Sequence, residues 1–169
     1  MGAMTMRASA KLIFLCGKMA AGKSTAAREL AEREKAVLLV QDDLLGALFP
    51  GEIKDVSSFV KCYTRLKNAL TPHICALLSK GIPVVLDFAA ATKTQREWFR
   101  ELIERTHVEH ELHFVNASDD LCKSQLRERS KELPAGTRWT TDADFELINA
   151  YFQPPSDDEK FNVIRHERV

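Results

Sequence analysis

Short apolar runs alternate along the chain with longer stretches of helical period. Lys11-Leu12-Ile13-Phe14-Leu15-Cys16, Ala36-Val37-Leu38-Leu39-Val40 and Val84-Val85-Leu86 are uninterrupted runs of strand length, the pattern of strands buried on both faces. Glu111 to Val115 and Phe161-Asn162-Val163-Ile164 are read as a fourth and a fifth strand. Between them, Ala26, Ala27, Leu30 and Ala31 recur at helical spacing within Thr25 to Arg33. Leu44 to Phe49 is a short helix that Pro50-Gly51 ends. Phe59, Tyr63, Leu66, Leu70, Ile74 and Leu77 repeat every three or four positions up to a stop at Gly81; Pro72 lies inside this pattern, which predicts a kink or two abutting helices. Thr92-Lys93-Thr94-Gln95 has the form of a capping box and opens a helix burying Phe99, Leu102 and Ile103. Asp119 to about Lys131 buries Leu121, Cys122 and Leu126; Asp144 to Tyr151 turns Phe145, Ile148 and Phe152 inward before Pro154-Pro155, and Ser156 to Glu159 reads as exposed. This alternation predicts an α/β chain with a five-stranded parallel sheet and helices on both faces.

The join between the first strand and the first helix carries the strongest chemical signal. Gly17-Lys18-Met19-Ala20-Ala21-Gly22-Lys23-Ser24 fits G-x-x-x-x-G-K-[ST] at every required position, between a strand and a helix as the pattern needs. Average composition yields such a match by chance in roughly one chain of this length in a few hundred. Gly17 and Gly22 let the backbone turn and approach a phosphate, and the loop amides and helix N-terminus present partial positive charge to it. Lys23 adds a full charge at the β- and γ-phosphates, and the Ser24 hydroxyl is placed for Mg²⁺. Thr25 follows on the same helical turn.

Composition narrows the partners. The 169 residues are 45% hydrophobic, enough for one domain with a proper core, and 24 basic residues balance 24 acidic ones. That balance does not suggest a strongly basic nucleic-acid binder. Cys16, Cys62, Cys75 and Cys122 lack C-x-x-C spacing and are read as reduced core residues of a cytoplasmic protein. No run is long enough to span a bilayer and no signal-peptide core opens the chain; residues 1–10 are read as a tag or disordered N-terminus, leaving 11–169 as one domain. His107, His110 and His113 cluster, but strand alternation puts His110 and His113 on opposite faces, so they are read as polar surface and strand-end residues rather than metal ligands.

Acids and arginines fill in the rest of the site. In an open parallel sheet, ligands lie beyond the carboxyl ends of the strands. Asp42 and Asp43 follow the second strand, so one can face the site while the other caps the following helix. Asp87 ends the third strand in the manner of a Walker B acid. Asn116-Ala117-Ser118-Asp119 lacks the lysine of the guanine-reading N-K-x-D, so Ser118 or Asp119 is read as a helix cap. Arg127 and Arg129 lie about 200° apart around a helix, so both cannot face one ligand; Arg129 continues the Cys122–Leu126 row and is the better candidate. Residues 131–143, with Arg138, form an expected mobile lid whose core is the polar stretch Leu133 to Ala143.

Strand, P-loop, helix, acids after strands two and three, then an Arg-bearing helix and lid: this order resembles the small P-loop kinases of nucleoside-monophosphate-kinase type. It is most similar to the branch of chloramphenicol phosphotransferase, zeta toxins and polynucleotide 5′-hydroxyl kinase, a group also described as AAA-type ATP-binding proteins. The resemblance implies the three-layer α/β/α fold of P-loop NTPases and an ATP- and Mg²⁺-dependent kinase. It implies that Asp42, with Asp43 second, acts on the acceptor hydroxyl, that Asp87 helps hold acceptor or metal beside Ser24, and that Arg127, Arg129 or Arg138 holds phosphates. Polynucleotide kinases carry a basic residue where this chain has Leu44-Leu45-Gly46-Ala47, which points to a small-molecule acceptor before a polynucleotide one. A nucleotide-binding regulatory or toxin-like ATPase is the third alternative.

Overall fold

The computed structural model describes residues 9–137 and 140–169. Its elements follow in the order β1 (Lys11–Gly17), α1 (Lys23–Glu34), β2 (Val37–Val40), α2 (Gln41–Leu48), α3 (Val56–Ser79), β3 (Val84–Asp87), α4 (Lys93–Thr106), β4 (Glu109–Ala117), α5 (Asp119–Lys131), α6 (Asp142–Asn149), a 3-10 turn (Asp157–Glu159) and β5 (Val163–Arg168). The strands pair in the order β2-β3-β1-β4-β5, all parallel. This is the α/β architecture of P-loop NTPases.

The central position of β1 explains why its sequence is apolar without alternation. Leu12, Phe14 and Cys16 face one side and pack with the Cys62, Leu66 and Ile74 row of α3 and with Trp98, Phe99 and Leu102 of α4. Ile13 and Leu15 face the other side, with Ala27 and Leu30 of α1, Cys122 and Leu126 of α5 and Phe145 of α6. The sheet is thus the middle of three layers. Phe14 stacks on Phe99 with centroids 4.2 Å apart, and Phe161 meets Phe14 edge-on at 5.3 Å. All four cysteines are free, three of them buried.

Helix starts are written locally. Asp55, Thr92 and Thr141 each accept a bond from the backbone N–H three residues on, and Ser58, Gln95 and Asp144 return it. Ser118 caps α5. The segment around Pro72 is one helix rather than two abutting ones.

Several expectations need correction. Neither Asp42 nor Asp43 caps a helix: α2 begins at Gln41 directly after β2, with Val40 at the cap position, so both acids lie in its first turn. There their charge complements the helix dipole. The last helix starts at Asp142, set by the Thr141 box, so it takes the end of the expected lid, while Lys131 belongs to α5. Ile148 is half exposed rather than inward. His113 is buried, not surface: its Nε2–H faces Glu111 Oε2 at 2.8 Å and its Nδ1 faces His166 Nε2 at 2.8 Å. Strand five begins two residues later than expected and runs to Arg168; Phe161 packs into the core ahead of it.

Glu159 is not simply exposed either. Arg96 on α4 is fully buried, and its Nε and Nη2 donate to the two Glu159 carboxylate oxygens at 2.7 and 3.0 Å. Its Nη1 donates to Ala90 O at 2.8 Å, under the loop that follows β3. Burial alone would raise the Glu159 carboxyl, but the Arg96 guanidinium and the Ser156 N–H hold it below the usual range. Glu159→Gln leaves a buried guanidinium without its counter-charge, which typically costs about 3–5 kcal/mol. The expected result is a fall in melting temperature of about 6–20 °C for a chain of this size, read by thermal denaturation near neutral pH. The carboxylate is ionised above its unfolded pKa, so this contribution is present at neutral pH and lost as pH falls through the depressed folded value. Glu159→Gln and the parent chain should therefore converge in acid.

Candidate active site

The carboxyl ends of β1, β2 and β3 open into one cavity of about 300 Å³. Gly17, Met19, Ala20, Ala21, Gly22, Lys23 and Ser24 line it from the loop, Gln41 and Asp42 from the start of α2, Asp87 to Ala91 from the end of β3, and Arg129 from α5; Cys16 forms part of its floor. Gly17 leaves no room for a side chain, since a Cβ there would stand 2.6 Å from Val115 O on β4. Gly22 has φ +101° and caps α1. Ala20 also holds a positive φ, 58°, although it is not glycine.

Lys23 is half-buried, and its Nζ donates to Gly17 O at 2.9 Å and Lys18 O at 2.7 Å. Desolvation lowers its pKa, against the attraction of Asp87 and other neighbours. The ammonium is thus poorly hydrated and held at the mouth of the loop. The Ser24 hydroxyl donates to Asp87 Oδ2 at 2.8 Å, which joins the loop to the end of β3. Burial raises the Asp42 carboxyl, and the nearby Asp87 and Asp43 charges raise it further. Gln41 is buried, and its Oε1 accepts from Ala89 N at 2.8 Å, fixing the β3 loop over the start of α2. Burial pushes the Cys16 thiol up to about 11, so this floor residue is an inert thiol at neutral pH.

The structure brings most of the expected residues together and sets others aside. Lys18 turns from the cavity and pairs with Asp119 at 2.5 Å. Thr25 lines a neighbouring cavity of about 660 Å³ with Gly22, Gln125, Arg129, His166 and Arg168. Arg127 points elsewhere, its Nη2 on Asp142 Oδ2 at 2.5 Å, as the 200° argument requires. Asp43 is not part of the cavity wall. Arg138 lies outside the described residues. Gln41, the Phe88–Ala91 loop and Arg168 were not anticipated. For Arg168 the available signal was only the charged run after Ile164, suited to an edge strand.

The Asp87 charge raises the neighbouring Asp42 carboxyl, and Ser24 and Asp87 are hard oxygen donors 2.8 Å apart. They fit Mg²⁺.

Comparison with known proteins bears on the fold. An 88%-covered structure of a Chloroflexus aurantiacus protein assigned as a kinase superposes on 94% of this chain with a TM-score of 0.72 at 19% identity. The Mycobacterium tuberculosis APS kinase CysC, in complex with AMPPNP and APS, superposes on 94% of this chain and over 88% of its own length, with a TM-score of 0.61 at 18% identity. The Pnkp1/Rnl/Hen1 RNA repair complex matches 96% of this chain at a TM-score of 0.63 and 18% identity, over 49% of the larger protein. At these identities the likeness is one of fold. No curated protein sequence matches the chain. Among the described residues no helix is long and apolar enough to cross a membrane. The AAA_33 family, an AAA domain, matches residues 12–155, and the chain belongs to that family with a P-loop kinase-like fold.

Proposed function

We propose that the chain is an ATP-dependent phosphotransferase that moves the γ-phosphoryl group of ATP to a hydroxyl of a small-molecule acceptor. The observation that carries this is the convergence of Lys23, Ser24, Asp42, Asp87 and Arg129 on one cavity at the mouth of the loop. Phosphoryl transfer needs positioning and charge neutralisation more than covalent help. The loop amides and Lys23 hold the β- and γ-phosphates, and Arg129 adds charge from the α5 side. Bound Mg²⁺, held by Ser24 with Asp87, would neutralise charge between those phosphates. Asp42 faces the same space with a raised pKa, which suits a group that orients an acceptor hydroxyl and takes its proton.

The acceptor side favours a compact molecule. Among the described residues its wall is Gln41, Asp42 and the stretch Phe88 to Ala91, none of them a cation. A polynucleotide 5′ end would bring its phosphates against Asp42 and Asp87, a repulsion these wall residues do nothing to offset.

Transfer of label from γ-labelled ATP is the direct test, across sugars, aminoglycosides, nucleosides and oligonucleotide 5′ ends. The expected result is a labelled small molecule in Mg²⁺ and none in EDTA. Ser24→Ala should raise the Mg²⁺ concentration needed for half-maximal rate, because one hard oxygen ligand is lost. Label on oligonucleotide ends alone would move the acceptor to nucleic acid. Label on no acceptor, with ATP still bound, would sink the phosphotransferase reading.

A further inference from the structure

The loop is gripped from outside by charges on the β4–β5 side of the sheet. Lys18 is tied to Asp119 at the start of α5, and the end of β5 supplies a second hold. Arg168 pairs with Ala117 in the β4–β5 ladder, and its own carbonyl accepts from Ser118 N at 3.1 Å, so its backbone is fixed. From there its Nη1 donates to Ala21 O at 2.7 Å. The guanidinium lies so close to Gly22 that a Cβ at that position would be 2.0 Å from Nη1. Glycine at 22 therefore answers two demands, the left-handed φ of 101° and the seat of Arg168.

We propose that Arg168 is a positioning residue that pre-sets the phosphate cradle by holding the Ala21–Gly22 peptide in one orientation. In a trans peptide the C=O and N–H point in opposite directions. Turning Ala21 C=O outward to Arg168 turns Gly22 N–H the other way, toward the concave side of the loop. The neighbouring groups cannot set this plane, because Ala21 N bonds to Lys18 O at 3.2 Å and Gly22 O accepts from Ala26 N at 3.1 Å, each in an adjacent peptide. A charge-assisted bond is the strongest single restraint available to a neutral carbonyl here. The inference rests on the reading of this loop as a phosphate cradle.

Calorimetry with Mg²⁺-pyrophosphate and, separately, with adenosine tests it on the full chain. Arg168 is exposed at the end of an edge strand, so Arg168→Met should fold, with melting temperature as the check. The expected result is pyrophosphate binding weakened about tenfold or more, as for loss of a hydrogen bond to a charged group, with adenosine binding unchanged. Arg168→Lys, which keeps a cationic donor, should recover most of the loss. Unchanged pyrophosphate affinity in a folded Arg168→Met chain would overturn the proposal, and so would a loss confined to adenosine, which would make Arg168 a contact of the base instead. Failure of the parent chain to bind pyrophosphate would remove the cradle itself, a result distinct from an indifferent Arg168.

Discussion

Lys23→Ala is expected to abolish detectable phosphotransfer and to weaken ATP binding while the chain remains folded. The Lys23 ammonium makes its two bonds to carbonyls of its own loop and none to the hydrophobic clusters on either face of the sheet. Its removal leaves Gly17 O and Lys18 O beside an open cavity, where water can replace the lost donor. Stability should therefore change little. The loss for ATP is larger, because the ammonium is already partly stripped of water. Pairing it with a phosphate costs little further desolvation, and the interaction is made in a medium where charge counts for more than in bulk water. Calorimetry and a thermal melt decide the matter together. A folded variant that binds ATP as tightly as the parent would remove the central claim about the loop.

Asp42→Asn should separate binding from chemistry. The substitution keeps the size of the side chain and removes the charge that takes or orients the acceptor proton. Loss of a positioned base typically costs about 10²–10⁴-fold in rate, so single-turnover transfer should fall by that order with ATP affinity little changed. Asp43→Asn is the control. Successive helical residues diverge by about 100°, and only Asp42 lines the cavity. Asp43→Asn forfeits a charge at the helix N-terminus, worth about 0.3–1 kcal/mol of stability, and should keep its activity. The pH profile gives a second readout. Burial and the neighbouring Asp87 and Asp43 raise the Asp42 pKa in the folded chain, so the rate should fall in acid starting above the ordinary aspartate range. Asp42→Asn should lose that limb. If Asp43→Asn is the inactive protein the two roles exchange; if both retain full activity the strand-two acids are not catalytic.

How much of this was legible in the sequence follows from which forces placed each residue. The runs of β1 and β3 and the loop between β1 and α1 were readable, because double-sided burial and a phosphate-loop spacing each leave a local pattern; β2 shows an apolar run as well, although as an edge strand it is only partly buried. The capping box at Thr92 was readable for the same reason. Where local and tertiary preferences diverge, the sequence misleads. Asp42-Asp43 looks like a cap, but β2 feeds straight into α2, so the helix starts before the acids. Ile148 has helical period yet stands half exposed. Glu159 reads as one of several surface acids, and only the fold brings it to Arg96, 63 positions earlier. Arg168 escapes in the same way: its partner is a carbonyl 147 positions away, and no periodicity reports a bond to a backbone oxygen. Ala20 is a subtler case, because its left-handed backbone carries no glycine to mark it.

The strand order β2-β3-β1-β4-β5 also fixes when the protein becomes usable during its own synthesis. The phosphate loop is made before either partner of the strand that carries it: β1 has no sheet partner until Val84–Leu86 exist, and its second partner waits for Glu109–Val115. The hold on Ala21 O arrives with Arg168, on the order of ten seconds after the loop at ordinary rates of translation. A ribosome-bound chain therefore carries its nucleotide motif ahead of the strands that frame it. If Arg168 pre-sets the cradle as proposed, full phosphate affinity waits for β5, while β1 and β2 stay unpaired until β3 is made, strands that a chaperone, or another nascent chain, can meet first.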